Sequence, residues 1–261
     1  MNKIIPLSKR LIVGADFNPA DFGGKSGVRK KVLDFARELA EFKVVIKVNS
    51  ILRACGYDLI EELHALGLEV MADLKLIDIE QTMSTDAALL LEYKPEMVTA
   101  MCSAGPGALW EIQQILGGTT KVMGVSVLTS LDDKLAQIVH GSSLEADVLK
   151  FAWIAQLANL PNLVCSSVEA EFLAKLKYLN LEYDTPAIRP LWDVAVGDQN
   201  AARVKTPEKA ILGGADRVIV SRPITGAKPN SDGKPGSPAA AVEATLREID
   251  GALEKLQEKA A

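Results

Sequence analysis

This sequence predicts an α/β protein folded as a single (β/α)8 TIM barrel over residues 1–261, and three observations carry the prediction. Eight short, β-rich apolar runs alternate with amphipathic segments at roughly thirty-residue spacing. Runs such as VMADL and RVIVS are almost continuously apolar, as strands read when helices cover a parallel sheet. The chain has 261 residues, close to the ~250 that one such barrel uses. Closure into a barrel removes both sheet edges. An open doubly wound sheet is the alternative, but no GxGxxG follows the first apolar run, so a dinucleotide site has no support.

In chain order, the strand candidates are 11–17, 44–49, 69–75, 97–102, 121–128, 162–167, 185–190 and 217–222. Helical patterns cover 27–41, 51–66, 79–92, 107–116, 144–158, 169–177, 206–212 and 238–255. Gly67 closes the second helical pattern, while Thr206-Pro207 opens the seventh as an N-cap followed by a first-turn proline. DFGGKSG at 21–27 and AKPNSDGKPGSP at 227–238 read as loops. No repeat is present beyond the strand–helix alternation itself.

Composition excludes several classes of function. With 48% apolar and 24% charged residues and a mean hydropathy of +0.14, the chain is neither disordered nor fibrous. A net charge of −5 argues against nucleic acid or an anionic membrane as the principal partner. Trp110, Trp153 and Trp192 are scattered rather than arranged as a stacking platform for bases. Cys55, Cys102 and Cys165 lie in apolar runs and are odd in number, which fits buried thiols in a reducing compartment. MNKIIPLSKR lacks a signal-peptide core, and no run reaches ~18 apolar residues, so a soluble cytoplasmic protein is expected.

Charge inside the apolar runs locates the chemistry. In ADLKLIDI, strand alternation puts Asp73 and Lys75 on one face, directed inward and up at the barrel mouth. Asp78 falls past this run, where it could approach the same lysine or reach a neighbouring subunit. Lys47 in IKVNS and Asp16 in IVGADF end the second and first runs. A lone strand-end charge needs no explanation beyond ordinary pairing, but five on three consecutive strands call for partners or a task. Flanking carboxylates favour the ammonium form of Lys75, which suits proton donation and not Schiff-base chemistry. A second constellation comprises TPAIRP at 185–190, Gly197-Asp198-Gln199 and the SRPIT end of the eighth run. Barrels commonly hold phosphate at the loops after strands seven and eight, where Gln199 and Arg222 are well placed.

The stretches IVGADF, IKV, ADLKLIDI, SVLTS, LVCSSVEA, TPAIRP, GDQ and IVSRPIT together resemble the orotidine 5′-phosphate decarboxylase family, and DLKLIDI is the most specific of them. The resemblance implies that Lys47, Asp73, Lys75 and Asp78 form an alternating charged array, with Asp78 supplied by the partner subunit of a homodimer. It makes Lys75 the proton donor and Asp16 the ribose contact. Ile79 and Thr82 lie in the nucleotide-contacting segment after the third strand, and Thr129 is the pyrimidine contact. Arg189, Gln199, Ser221 and Arg222 fall where the family holds the 5′-phosphate. The activity implied is decarboxylation of orotidine 5′-phosphate to UMP through a C6 carbanion, with no metal or organic cofactor.

Three positions depart from the family pattern. Ala187 and Ser221 stand where glycine is usual, and Met101 where histidine is common. The 226–238 segment is also longer than the usual link to the last helix. His64 and His140 have no ligand spacing, and no CxxC or histidine pair offers a metal site. Two other readings remain open from sequence: a metal-assisted decarboxylase or sugar-phosphate aldolase on the same barrel, and a silent barrel that binds a nucleotide without turnover. Lys47 weighs against the first, because VIKVNS lacks the carboxylate those relatives use to help bind magnesium; the complete charged array weighs against the second.

Overall fold

A computed structural model describes residues 5–193, 205–227 and 235–260. Eight parallel strands close into a barrel in sequence order: β1 (Leu11–Gly14), β2 (Val45–Val48), β3 (Glu69–Leu76), β4 (Met97–Met101), β5 (Lys121–Val125), β6 (Asn162–Val164), β7 (Glu182–Thr185) and β8 (Arg217–Val220). Around them lie α1 (Lys25–Leu39), α2 (Ser50–Cys55), α3 (Asp58–His64), α4 (Glu80–Tyr93), α5 (Pro106–Leu116), α6 (Asp133–His140), α7 (Leu144–Leu157), α8 (Ser167–Leu173), α9 (Pro207–Leu212), α10 (Arg222–Thr225) and α11 (Pro238–Ala260). No helix among the described residues is long and apolar enough to cross a membrane.

Strand alternation sorts the apolar residues into two layers. Ile12, Val45, Met71, Met97, Met123, Val125, Val164 and Ile219 fill the barrel interior. Their immediate neighbours, among them Leu11, Val13, Ile46 and Val70, face outward against the helices. Three methionines in the inner layer suit a tapering interior, since unbranched thioethers fill irregular space. Met101 packs against the rim of this layer.

The seventh strand lies earlier than expected, at Glu182–Thr185 rather than 185–190. EYDT reads as polar, yet its carboxylates are paired in the barrel floor: Arg217 Nη1 donates to Glu182 at 2.7 Å and to Asp184 at 3.1 Å. Pro186 has no N–H for a ladder, and Ala187 turns the backbone into the left-handed region at φ 62°. Of the remaining expected stretch, Ile188 forms only an isolated bridge to Lys205.

Other boundaries shift for local reasons. The expected helix 51–66 divides into α2 and α3 at Gly56, whose φ is 95°. The first, fifth, sixth and eighth strands end two or more residues before those expected to close them, and the second and fourth end one residue before. Ser166 leaves the sixth run to form a capping box with Glu169 at the start of α8, and Arg222 opens α10. The unexpected α6 is N-capped by Asp132, whose side chain accepts the Leu135 N–H at 2.8 Å, and stops at left-handed Gly141. Thr206 accepts from Lys209 N as the N-cap of α9, with Pro207 in its first turn.

Candidate active site

The C-terminal ends of the strands surround a cavity of about 220 Å³. Alternation along β1–β3 brings charge into it. In β2, Val45 faces in, Ile46 out and Lys47 in. In β3, Met71, Asp73 and Lys75 line the cavity while Ala72 and Leu74 pack outward. Asp16 follows β1 at the same rim.

These four side chains form an alternating chain of charge. Lys47 Nζ donates to both Asp16 oxygens, at 2.8 and 2.9 Å, and to Asp73 Oδ2 at 3.2 Å. Lys75 Nζ donates to Asp73 Oδ1 at 2.6 Å. Burial works against the charge on Lys47, but Asp73 and Asp16 outweigh it and lift its pKa above the usual lysine value. Burial likewise opposes the charge on Asp73, and here Lys47, Lys75 and the hydrogen bonds from Lys75 and Thr99 prevail, lowering its pKa. Lys75 is the more open of the two ammoniums, its side chain 40% exposed against 8% for Lys47. Among the described residues, Asp73 is its one hydrogen-bonding side chain, which leaves N–H donors for a ligand.

Two features of this array were not legible beforehand. The β3–β4 register passes from Ala72↔Val98 to Leu76↔Ala100, so Asp73–Lys75 form a bulge. Lys75 there adopts φ 48°, a strained state for a residue with a side chain. Thr99, absent from the sequence-based candidates, spans the gap: Lys75 N–H donates to its Oγ1 at 2.9 Å, and its hydroxyl donates to Asp73 Oδ1 at 2.9 Å. The available signal was a lone hydroxyl inside MVTAM, an otherwise apolar strand.

Thr129, Arg189, Ser221 and Arg222 also line the cavity. Ser221 Oγ donates to Asp16 Oδ2 at 2.9 Å. Its hydroxyl explains Gly14: a Cβ there would lie 2.0 Å from Ser221 Oγ. Arg189 Nη1 is paired with Asp193 at 2.9 Å. Gln199 lies outside the described residues.

Asp78, Ile79 and Thr82 do not line this cavity. Asp78 is exposed, and its Oδ1 accepts the N–H of Ile79 at 2.7 Å; it makes no ion pair with Lys75 within the chain. Ile77 and Ile79 flank it with 56% and 71% exposure. Thr82 is half-buried on α4. His64 faces Glu96 at 3.2 Å, His140 packs edge-on against Phe151, and all three cysteines are buried free thiols.

Residues 9–233 match the family model described as the orotidine 5′-phosphate decarboxylase / HUMPS family. A curated relative from Pseudomonas savastanoi pv. phaseolicola, named orotidine 5′-phosphate decarboxylase, is 33% identical over 85% of this chain and 93% of its own length. One of the same name from Sphingopyxis alaskensis is 34% identical over 74% of this chain and 83% of its own. Among solved structures, an orotidine 5′-phosphate decarboxylase from Lactobacillus acidophilus superimposes with TM-score 0.72 at 24% identity, covering 93% of this chain and 99% of that one. An uncharacterized conserved protein from Geobacillus kaustophilus gives TM-score 0.72 at 22% identity, over 92% and 99%. At these identities the solved structures establish the shared fold.

Proposed function

The chain belongs to the orotidine 5′-phosphate decarboxylase / HUMPS family, and from that premise we propose that it converts orotidine 5′-phosphate to UMP in pyrimidine biosynthesis, with Lys75 as the proton donor. The observation that carries this reading is the Asp16–Lys47–Asp73–Lys75 chain at the rim of the cavity.

In the proposed reaction the bond from C6 to the carboxylate breaks, CO₂ departs, and the electron pair stays on C6. The Lys75 ammonium lies beside that carbon, stabilises the developing charge and transfers a proton to form C6–H. The neutral lysine then recovers its proton from solvent. Asp73 has both carboxylate oxygens engaged by cations, so it holds Lys75 in place and lies near the departing carboxylate. Preorganised cationic stabilisation of this kind is a large catalytic term. Lys47 occupies the space between Asp16 and Asp73, where a divalent ion would have to displace an ammonium, so the reading uses no metal. Asp16 meets the ribose, Thr129 the pyrimidine, and Arg189, Gln199, Ser221 and Arg222 the phosphate. Binding energy from that remote phosphate supports closure over the reacting carbon.

The array gains its last carboxylate from a second copy of the chain. Asp78 is exposed beside two exposed isoleucines and does not line the cavity that holds its own Lys75, an arrangement suited to a homodimer in which Asp78, Ile79 and Thr82 complete the neighbouring site. Mixing inactive Lys75→Ala and Asp78→Ala proteins restores part of the activity through hybrid dimers; no recovery after verified subunit exchange contradicts the shared site. A cytoplasmic location accords with three free buried thiols.

Proton transfer is tested through the reverse step. In D₂O the wild type exchanges the C6 hydrogen of UMP and Lys75→Ala does not. Undiminished exchange by the variant removes Lys75 from the donor role.

A further inference from the structure

We propose that Thr99 is a positioning residue for this decarboxylation: one hydroxyl both pins the backbone turn that presents Lys75 to the cavity and fixes the Asp73 carboxylate against that lysine. The proposal rests on the functional reading above and adds to it a residue from a strand that otherwise supplies only packing.

The need for such a residue follows from the register. Four residue steps of β3, from Ala72 to Leu76, run against only two of β4, from Val98 to Ala100. A ladder stretched in this way cannot satisfy every N–H, and a buried unsatisfied donor is costly. Thr99 sits at the middle of the gap, 1% exposed, and its oxygen takes the orphaned Lys75 N–H at 2.9 Å. The backbone there is left-handed, φ 48°, a state that persists only where surroundings over-determine it. On the outer face, Arg53 from α2 holds the carbonyl of Leu74. The bulge is therefore gripped on both sides, at Leu74 by a cation and at Lys75 by Thr99.

The same hydroxyl has one proton to give, and it goes to Asp73 Oδ1 at 2.9 Å. That oxygen also receives Lys75 Nζ at 2.6 Å, while Oδ2 receives Lys47 at 3.2 Å. Thr99 thus sets the carboxylate plane so that each oxygen meets a different lysine. Its hydrogen bond is among the interactions that keep Asp73 ionised against its burial. Valine matches threonine in shape but can neither accept from Lys75 N–H nor donate to Asp73, so Lys75 would lose its fixed direction and Asp73 one of its restraints.

The test compares Thr99→Val with Thr99→Ser. Misplacing a reacting group by about 1 Å costs on the order of 100-fold, so Thr99→Val lowers kcat by about 10- to 100-fold with KM changed less than about threefold, and Thr99→Ser recovers most of kcat. The acid limb of the kcat profile moves to higher pH in the valine variant, because Asp73 loses a donor. Amide exchange at Lys75, read on resting protein, is slow in the wild type and serine variant and fast in the valine variant. Wild-type kcat in Thr99→Val, equal impairment in Thr99→Ser, a change confined to KM, or unaltered Lys75 protection overturns the proposal. Absence of orotidine 5′-phosphate turnover by the wild type instead overturns the functional reading, and the exchange pattern then decides by itself whether the hydroxyl holds Lys75.

Discussion

Two clusters of paired charge occupy opposite ends of this barrel, and the one at the mouth lines a cavity. At the C-terminal mouth, Asp16, Lys47, Asp73 and Lys75 alternate in sign around open space. At the N-terminal floor, Lys121 and Arg217 meet Glu182, Arg217 meets Asp184, and Asn162 Nδ2 donates to Asp184 at 2.7 Å. The floor cluster comes from the first residue of β5, β6, β7 and β8, with Asp184 two residues along. Asp184 is fully buried and Arg217 2% exposed. Its charges are spent on each other, whereas Lys75 at the mouth keeps donors in reserve. Buried charge in a barrel strand is therefore not by itself a sign of catalysis; the sign is charge whose pairing is incomplete where the strands end in a cavity.

The comparison predicts opposite failures. The largest effect is at the mouth: Lys75→Ala lowers kcat/KM by about 10³-fold or more, since both charge stabilisation and proton donation are lost. Its melting midpoint moves by no more than about 2 °C, because a half-open ion pair contributes little stability. At the floor, Arg217→Met strands Asp184 without its cation and destabilises the fold by about 3–5 kcal/mol, measured by denaturant titration. The folded fraction keeps kcat/KM within about threefold. An inactive but fully stable Arg217→Met protein would erase the distinction.

The floor also has its own pH signature. Burial opposes ionisation of Glu182, but Lys121 and Arg217 overcome it and hold the carboxyl at about 2. That group stabilises the fold above its unfolded value near 4.5, and the contribution is lost as pH falls from 4.5 toward 2. Asp184 behaves in the opposite sense. Complete burial pushes it up to about 6 despite Arg217 and Asn162, so the native state binds its proton more tightly than the unfolded chain. Stability from this group falls as pH rises from about 4 to about 6. Thermal melts of Glu182→Gln lose the acid-side decline, and melts of Asp184→Asn lose the decline between pH 4 and 6. Unchanged slopes in both variants would show that the cluster does not titrate in this way.

The smallest effect belongs to the loop that follows β7 at the rim of the cavity. Ala187 holds φ 62°, where glycine carries no side-chain penalty. Ala187→Gly raises stability by about 0.5–1 kcal/mol after the entropy of the unfolded chain is counted. A lowered midpoint would mean that the Ala187 methyl contributes more packing than its backbone costs in strain.

The same contrast explains what the sequence made legible. Apolar runs at regular spacing disclosed the barrel because β1, β2, β4, β5, β6 and β8 are buried almost throughout. β7 was misplaced because its floor carboxylates make EYDT look like a loop, while TPAIRP looks like a strand but carries two prolines and a left-handed alanine. Asp73 and Lys75 were readable as a pair because strand alternation survives the bulge at their side chains. The bulge itself and the part played by Thr99 were not, since both depend on a β3–β4 register that no local pattern encodes. Gly14 was likewise legible only as a glycine until Ser221 Oγ was seen in the space its Cβ would need.

The most direct test is the absorbance of orotidine 5′-phosphate, followed in EDTA after addition of the purified wild-type protein. The account predicts complete, metal-free conversion to UMP. A folded protein that binds UMP but leaves orotidine 5′-phosphate unchanged, or converts it only when magnesium is restored, would contradict it.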